Sequence, residues 1–196
     1  MGIQGFSSTK PPLAKLMAFV DGEYLREECT NRFDEEINYQ KLKERILAYF
    51  NANCDGKYTG DLVRIYYYDA IVDRLNPKYE KQNYYFNRIK GINGYQLRLG
   101  KVVPTGKDGT GQLKQKGVDV LLAVDMITKA HSEQYDFAIL LAGDSDFLEV
   151  VNAVKDSGKR VFGMYFRKHI ADDLYDAFDA RIEIENFVND LKTLTV

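Results

Sequence analysis

Residues 136–142, Asp-Phe-Ala-Ile-Leu-Leu-Ala, form an almost unbroken apolar run that stops at Gly143-Asp144-Ser145-Asp146-Phe147. A short apolar run without alternation predicts a strand covered on both faces, as at the centre of a parallel sheet. In an open sheet of that kind, ligands bind just beyond the carboxyl ends of the strands. Asp144 and Asp146 stand at that edge, two residues apart. Carboxylates so placed repel each other unless a proton or a cation lies between them, and a divalent metal is the economical reading.

The same pattern recurs along the chain. Leu16-Met17-Ala18-Phe19-Val20 ends in Asp21-Gly22-Glu23, and the β-branched and aromatic run 62–68 ends in Asp69. Helical spacing predicts helices over 24–30, over 39–50 with Asn38 as cap, and from Asn76-Pro77 toward Ile92. A half-wet strand is expected over 95–103. The stretch 104–117, with its glycines and Lys107, Lys114 and Lys116, reads as a mobile basic loop. A helix over 118–131 is expected to turn Val120, Leu121, Val124, Ile127 and Thr128 inward. A helix over 147–157, a strand over 161–166, a short helix over 172–178 and an edge strand over 180–184 complete the chain. Alternating strands and helices predict a parallel-dominated α/β sandwich. One domain is expected over 13–196, preceded by a flexible arm over 1–12 that is rich in Gly, Ser, Thr and Pro.

Composition narrows the function classes. A net charge of −2 argues against coating nucleic acid by bulk charge, but an acidic site is what a metal-dependent nuclease needs. Cys29 and Cys54 form no CxxC and read as ordinary thiols of a reducing compartment. No apolar run approaches the roughly 18 residues of a membrane span. No secretory signal pattern opens the sequence, so the cytoplasm is the expected location.

Three aspartates at strand or helix ends, Asp21, Asp119 and Asp144, are the leading metal ligands, with Asp146 beside them. Hard oxygen donors of this type suit Mg²⁺ or Mn²⁺. Taken singly, each of Asp119, Asp144 and Asp146 is explained as a helix cap; together they favour metal. Glu23, Asp125 and Ser145 are candidates for supporting roles, and Glu23 is equally explained as a first-turn acid favoured by the helix dipole. Asp69 and Asp73 read as solvated rim acids. His131 reads as a partner of a helix C-terminus, and His169 as part of a basic cluster. Lys107, Lys114, Lys116, Arg167 and Lys168 are candidates for holding a phosphate backbone, against the ordinary reading of solvated surface charge.

Lys116-Gly117-Val118-Asp119-Val120 through Asp125, then Gly143-Asp144-Ser145-Asp146-Phe147, then Gly158-Lys159-Arg160-Val161, together resemble the NYN domain family. That is the PIN-like nuclease group that includes the LabA-like proteins. Phe19-Val20-Asp21-Gly22 resembles the family's first-strand motif. The resemblance implies a PIN-like three-layer α/β/α sandwich with a central, mainly parallel sheet. It implies metal-dependent endoribonuclease activity on single-stranded RNA, with Asp21, Asp119, Asp144 and Asp146 as the acidic cluster. PIN-like proteins often pair, so a homodimer is the further partner that it suggests. Glu23 departs from the Asn often found two residues after the first Asp.

Two other readings compete. A haloacid-dehalogenase-like phosphatase also ends strands in acids, but Asp21-Gly22-Glu23 lacks the Asp-x-Asp pair and Gly-Asp-Ser-Asp has the wrong spacing. A non-catalytic RNA- or protein-binding module would use the lysines and the aromatic side chains, with the acids serving as caps.

Overall fold

The computed structural model describes residues 10–30, 37–104 and 113–192. The elements follow the order β1 (Leu13–Asp21), α1 (Gly22–Thr30), α2 (Tyr39–Asn53), β2 (Thr59–Ile71), α3 (Tyr79–Lys90), β3 (Tyr95–Pro104), β4 (Leu113–Lys116), α4 (Val118–His131) and β5 (Phe137–Leu141). A 3-10 turn (Ser145–Phe147), α5 (Leu148–Asp156), β6 (Arg160–Tyr165), α6 (Asp172–Ala177) and β7 (Ala180–Glu183) follow. The strands form one sheet in the order β4-β3-β2-β1-β5-β6-β7. All neighbours are parallel except β4, which runs antiparallel to β3. Of the arm expected over 1–12, only 10–12 lie within the described residues, and the Pro12 carbonyl accepts a hydrogen bond from Thr59 N–H at 3.0 Å.

Side-chain alternation along the central strands builds two cores. Leu16, Ala18 and Val20 of β1 pack with Leu25 of α1, with Leu42, Ile46 and Phe50 of α2, and with Phe86 and Ile89 of α3. Met17 and Phe19 face the other way, against Leu122 and Met126 of α4, Val151 and Val154 of α5 and Leu174 of α6. The result is a three-layer α/β/α sandwich. Every residue of β5 is buried, which is why its sequence shows no alternation. Asn38 caps α2 as its position predicts, its side chain accepting from Lys41 N–H at 3.0 Å. Both cysteines are buried. No helix among the described residues is long and apolar enough to cross a membrane.

The fold corrects two sequence expectations. Residues 113–116, expected within a loop, form β4, with Lys101 opposite Lys116 and Pro104 opposite Leu113. The open edge of β3 offers backbone partners to any extended segment, a demand that side-chain composition does not report. Lys107 lies outside the described residues.

The second correction concerns α4, which is rotated from the expected face. Its buried positions are Val118, Leu122, Met126, Lys129 and Ala130. Val120, Leu121 and Val124, expected inside, are 64%, 40% and 57% exposed. The helix is apolar on nearly all sides, so periodicity alone cannot choose a face. Polar contacts choose it. Asp125 accepts from the Tyr68 hydroxyl at 3.0 Å and from Lys129 Nζ at 2.8 Å, and its Oδ2 lies 2.9 Å from Arg98 Nε. Lys129 Nζ also sits 4.7 Å from the centre of the Tyr66 ring. These contacts draw the Asp125–Lys129 side of the helix toward β2 and β3. Urea unfolding checks the rotation. Leu122→Ala is expected to lose about 2–5 kcal/mol, whereas Val124→Ala stays within about 0.5 kcal/mol. The reverse ranking would restore the expected face.

Candidate active site

The chain leaves β1 toward β2, β3 and β4 on one side, and β5 leads to β6 and β7 on the other. The order therefore reverses between β1 and β5, and a crevice opens beyond the carboxyl ends of strands at such a point. Val20 pairs with Leu141, so Asp21 ends β1 level with the start of the turn carrying Gly143 and Asp144. Asp119 lies in the first turn of α4, at the same edge. The three aspartates picked out by sequence thus share one rim of the sheet.

Electrostatics single out Asp21. Its carboxyl is pushed up to about 7, chiefly by burial. The negative charges of Asp119, Glu23 and Asp69 push in the same direction, while a hydrogen bond from Tyr24 N–H at 3.1 Å pulls against them. Asp144 is exposed, and its Oδ1 accepts from Asp146 N–H at 3.0 Å, so it does cap the 3-10 turn. Ser145 and Asp146 are exposed in that turn, and Glu23 is exposed in the first turn of α1. Among the described residues, no three His, Cys, Asp or Glu side chains form a group that could hold a metal. Asp119 and Glu23 each lie within electrostatic range of Asp21, and Asp144 and Asp146 follow β5 in the neighbouring turn. All-oxygen donors still fit Mg²⁺, which keeps several waters and is bound through one or two carboxylates.

Two other acids have different roles from those expected. Asp69 is not a solvated rim acid: its side chain is fully buried and takes two hydrogen bonds from the Arg26 guanidinium, both at 2.8 Å. Asp125 is occupied by Tyr68, Lys129 and Arg98 on the side of α4 facing β2 and β3. Lys129 and the other two partners outweigh partial burial and hold its carboxyl below the usual range. Asp73 is exposed and accepts from Leu75 N–H at 2.9 Å.

Of the candidate backbone contacts, Lys116 is exposed beside the start of α4, and Lys114 lies on β4. Arg167 and Lys168 are exposed on the loop after β6. That loop is fixed by groups that sequence reading missed. Phe166 N–H donates to the Tyr24 hydroxyl at 2.9 Å, His169 Nδ1 lies 3.0 Å from Glu28 Oε1, and Ala171 N–H donates to the Gly143 carbonyl at 2.9 Å. A Cβ at Gly143 would overlap the His169 carbonyl oxygen, so glycine is needed there for close approach. Glu28 and His169 are 141 residues apart in sequence, and no local pattern links them.

The sequence model of the NYN domain matches residues 15–185. None of the curated proteins matches the chain. Among solved structures, a protein of unknown function from Vibrio parahaemolyticus is similar, at 20% identity and a TM-score of 0.59. The match covers 87% of this chain and 93% of that one, and at this identity it speaks for the fold. The family match runs from β1 past β7 and takes in every acid of the rim; the chain belongs to the NYN domain family, within the PIN-like superfamily.

Proposed function

We propose that the protein is a metal-dependent endoribonuclease that cleaves single-stranded RNA at the rim between β1 and β5. The observation that carries this reading is Asp21, a carboxyl at the switch point of the sheet, burdened by burial and by neighbouring acids. Positive charge placed there relieves both. Asp21 and Asp119 would hold Mg²⁺ or Mn²⁺ with help from Asp144 and Asp146. Such an ion supplies Lewis acidity toward the phosphodiester and lowers the pKa of a bound water.

The chain's own residues do the remaining work. Tyr24 N–H fixes Asp21, and Asp146 N–H fixes Asp144. Lys116, Arg167 and Lys168 would draw in the phosphate backbone, with Lys107 and Lys114 as further proposed contacts. Glu23 follows Asp21 at the start of α1, and Ser145 follows Asp144 in the 3-10 turn, so both are placed to support the rim.

A cleavage assay on single-stranded RNA with Mg²⁺, Mn²⁺ or EDTA tests the proposal. Cleavage is expected with either ion, none in EDTA, and a loss of about a hundredfold or more in Asp144→Asn, since removing a group that supports transition-state charge costs on that order. Wild-type rates in Asp144→Asn would refute it. A second reading, a non-catalytic RNA- or protein-binding module of the same fold, is favoured by one observation: no metal-holding trio forms among the described residues. RNA binding indifferent to EDTA, without cleavage, would select it.

A further inference from the structure

We propose that His169, oriented by Glu28, reads the ribose 2′-hydroxyl and so makes the site prefer RNA over single-stranded DNA; this rests on the nuclease reading above. The loop carrying His169 is held on three sides. Tyr24 and Glu28 of α1 anchor it through Phe166 N–H and His169 Nδ1, and Gly143 anchors it through Ala171 N–H. Arg167 N–H donates to Glu185 Oε1 at 3.0 Å, and His169 N–H turns back to the Phe166 carbonyl at 3.0 Å. α1 follows directly on Asp21, and Gly143 directly precedes Asp144. The loop is therefore tied to both sides of the acidic rim, in a fixed place beside it.

Chemistry gives each member of the loop a different task. Arg167 and Lys168 are exposed cations, suited to phosphate and blind to the sugar. His169 differs because one ring nitrogen is committed. The Glu28 side chain is 8% exposed with Oε1 3.0 Å from Nδ1, while the imidazole itself is 52% exposed. A carboxylate only accepts, so Nδ1 carries the hydrogen, and in the neutral ring Nε2 is left as an acceptor. An acceptor on an exposed ring beside a phosphate track does not bond phosphate oxygens, which are themselves acceptors. It does bond a hydroxyl, and the 2′-hydroxyl is the group that separates RNA from DNA. Glu28 thus acts as a positioning residue by fixing the tautomer.

The test measures binding of a fluorescein-labelled single-stranded RNA 12-mer and the DNA 12-mer of the same sequence, by anisotropy at pH 8 in EDTA, where cleavage is excluded. Wild-type protein is expected to prefer RNA about tenfold, the worth of one well-made hydrogen bond to a group that DNA lacks. His169→Ala should weaken RNA binding to the DNA level and leave DNA binding unchanged. Glu28→Gln, whose amide can donate to Nδ1 and so move the ring hydrogen to Nε2, should shrink the preference in the same sense. DNA affinity is the internal control, because a merely misfolded loop lowers both. Equal losses for RNA and DNA in His169→Ala would leave the RNA preference intact without the ring, and so would overturn the proposal. An RNA preference untouched in both variants would also overturn it while leaving the nuclease reading standing. Wild-type protein that binds neither oligonucleotide would overturn both.

Discussion

Asp21→Asn is expected to abolish RNA cleavage and, in EDTA at pH 8, to raise the unfolding temperature. An aspartate in the unfolded chain titrates near 3.9, and folding moves Asp21 to about 7. Between those values the folded protein keeps a proton that the unfolded chain has lost. Stability therefore falls as pH rises from about 4 to about 7, and the full penalty persists above that window. Three units correspond to at most about 4 kcal/mol, and relaxation around the site brings the expected gain on removing the charge to about 2–4 kcal/mol. Asparagine keeps an oxygen for Tyr24 N–H, so the local turn survives. At pH 4 the advantage of the variant should vanish. Thermal unfolding of both proteins at pH 4 and pH 8 in EDTA checks the sign. A variant less stable than wild type at pH 8 would contradict the assignment of burial and repulsion to this carboxyl.

Arg26→Ala is expected to be strongly destabilising although it lies outside the apolar cores. It leaves Asp69 buried with its guanidinium partner gone, while the Ala70 N–H at 2.7 Å and the Tyr67 hydroxyl at 3.4 Å remain. Removing one member of a buried ion pair costs about 3–5 kcal/mol. The Arg26 side chain is 36% exposed, so water can reach the vacated place, and the low end is expected. A loss of about 3 kcal/mol lowers the unfolding temperature by roughly 6–12 °C for a chain of this size. Adding Asp69→Asn should return at least half of the loss, because the stranded charge is removed. Arg26→Lys should recover little, since an ammonium cannot match the two-pronged contact. A loss under about 1 kcal/mol in Arg26→Ala, well below the range for a broken buried pair, would mean that Asp69 is not a buried charge.

What sequence revealed and what it hid divide along physical lines. The strands that lead to Asp21 and Asp144 were legible because a strand buried on both faces must be apolar throughout, and β5 is. Asn38 was legible because capping is local. The face of α4 was not, because a helix apolar on nearly every side gives periodicity nothing to choose between, and the choice falls to Tyr68 and Arg98 on other strands. Asp69 was misread as solvated because its partner, Arg26, lies 43 residues away on α1. The Glu28–His169 contact and the need for Gly143 were hidden for the same reason: both depend on where separate segments meet in space. The acids of the rim were found by position at element ends, a rule that identifies an edge but does not set side-chain separations.

The central claim is that the rim beyond β1 and β5 takes a divalent cation. Its most direct test is the change in unfolding temperature at pH 8 when EDTA is replaced by millimolar Mn²⁺, for wild type and Asp21→Asn side by side. A ligand that binds only the folded state stabilises it in proportion to the logarithm of its concentration over Kd. A rise of several degrees is expected for wild type and none for Asp21→Asn. An equal rise in both proteins, or no rise in wild type, would contradict the claim.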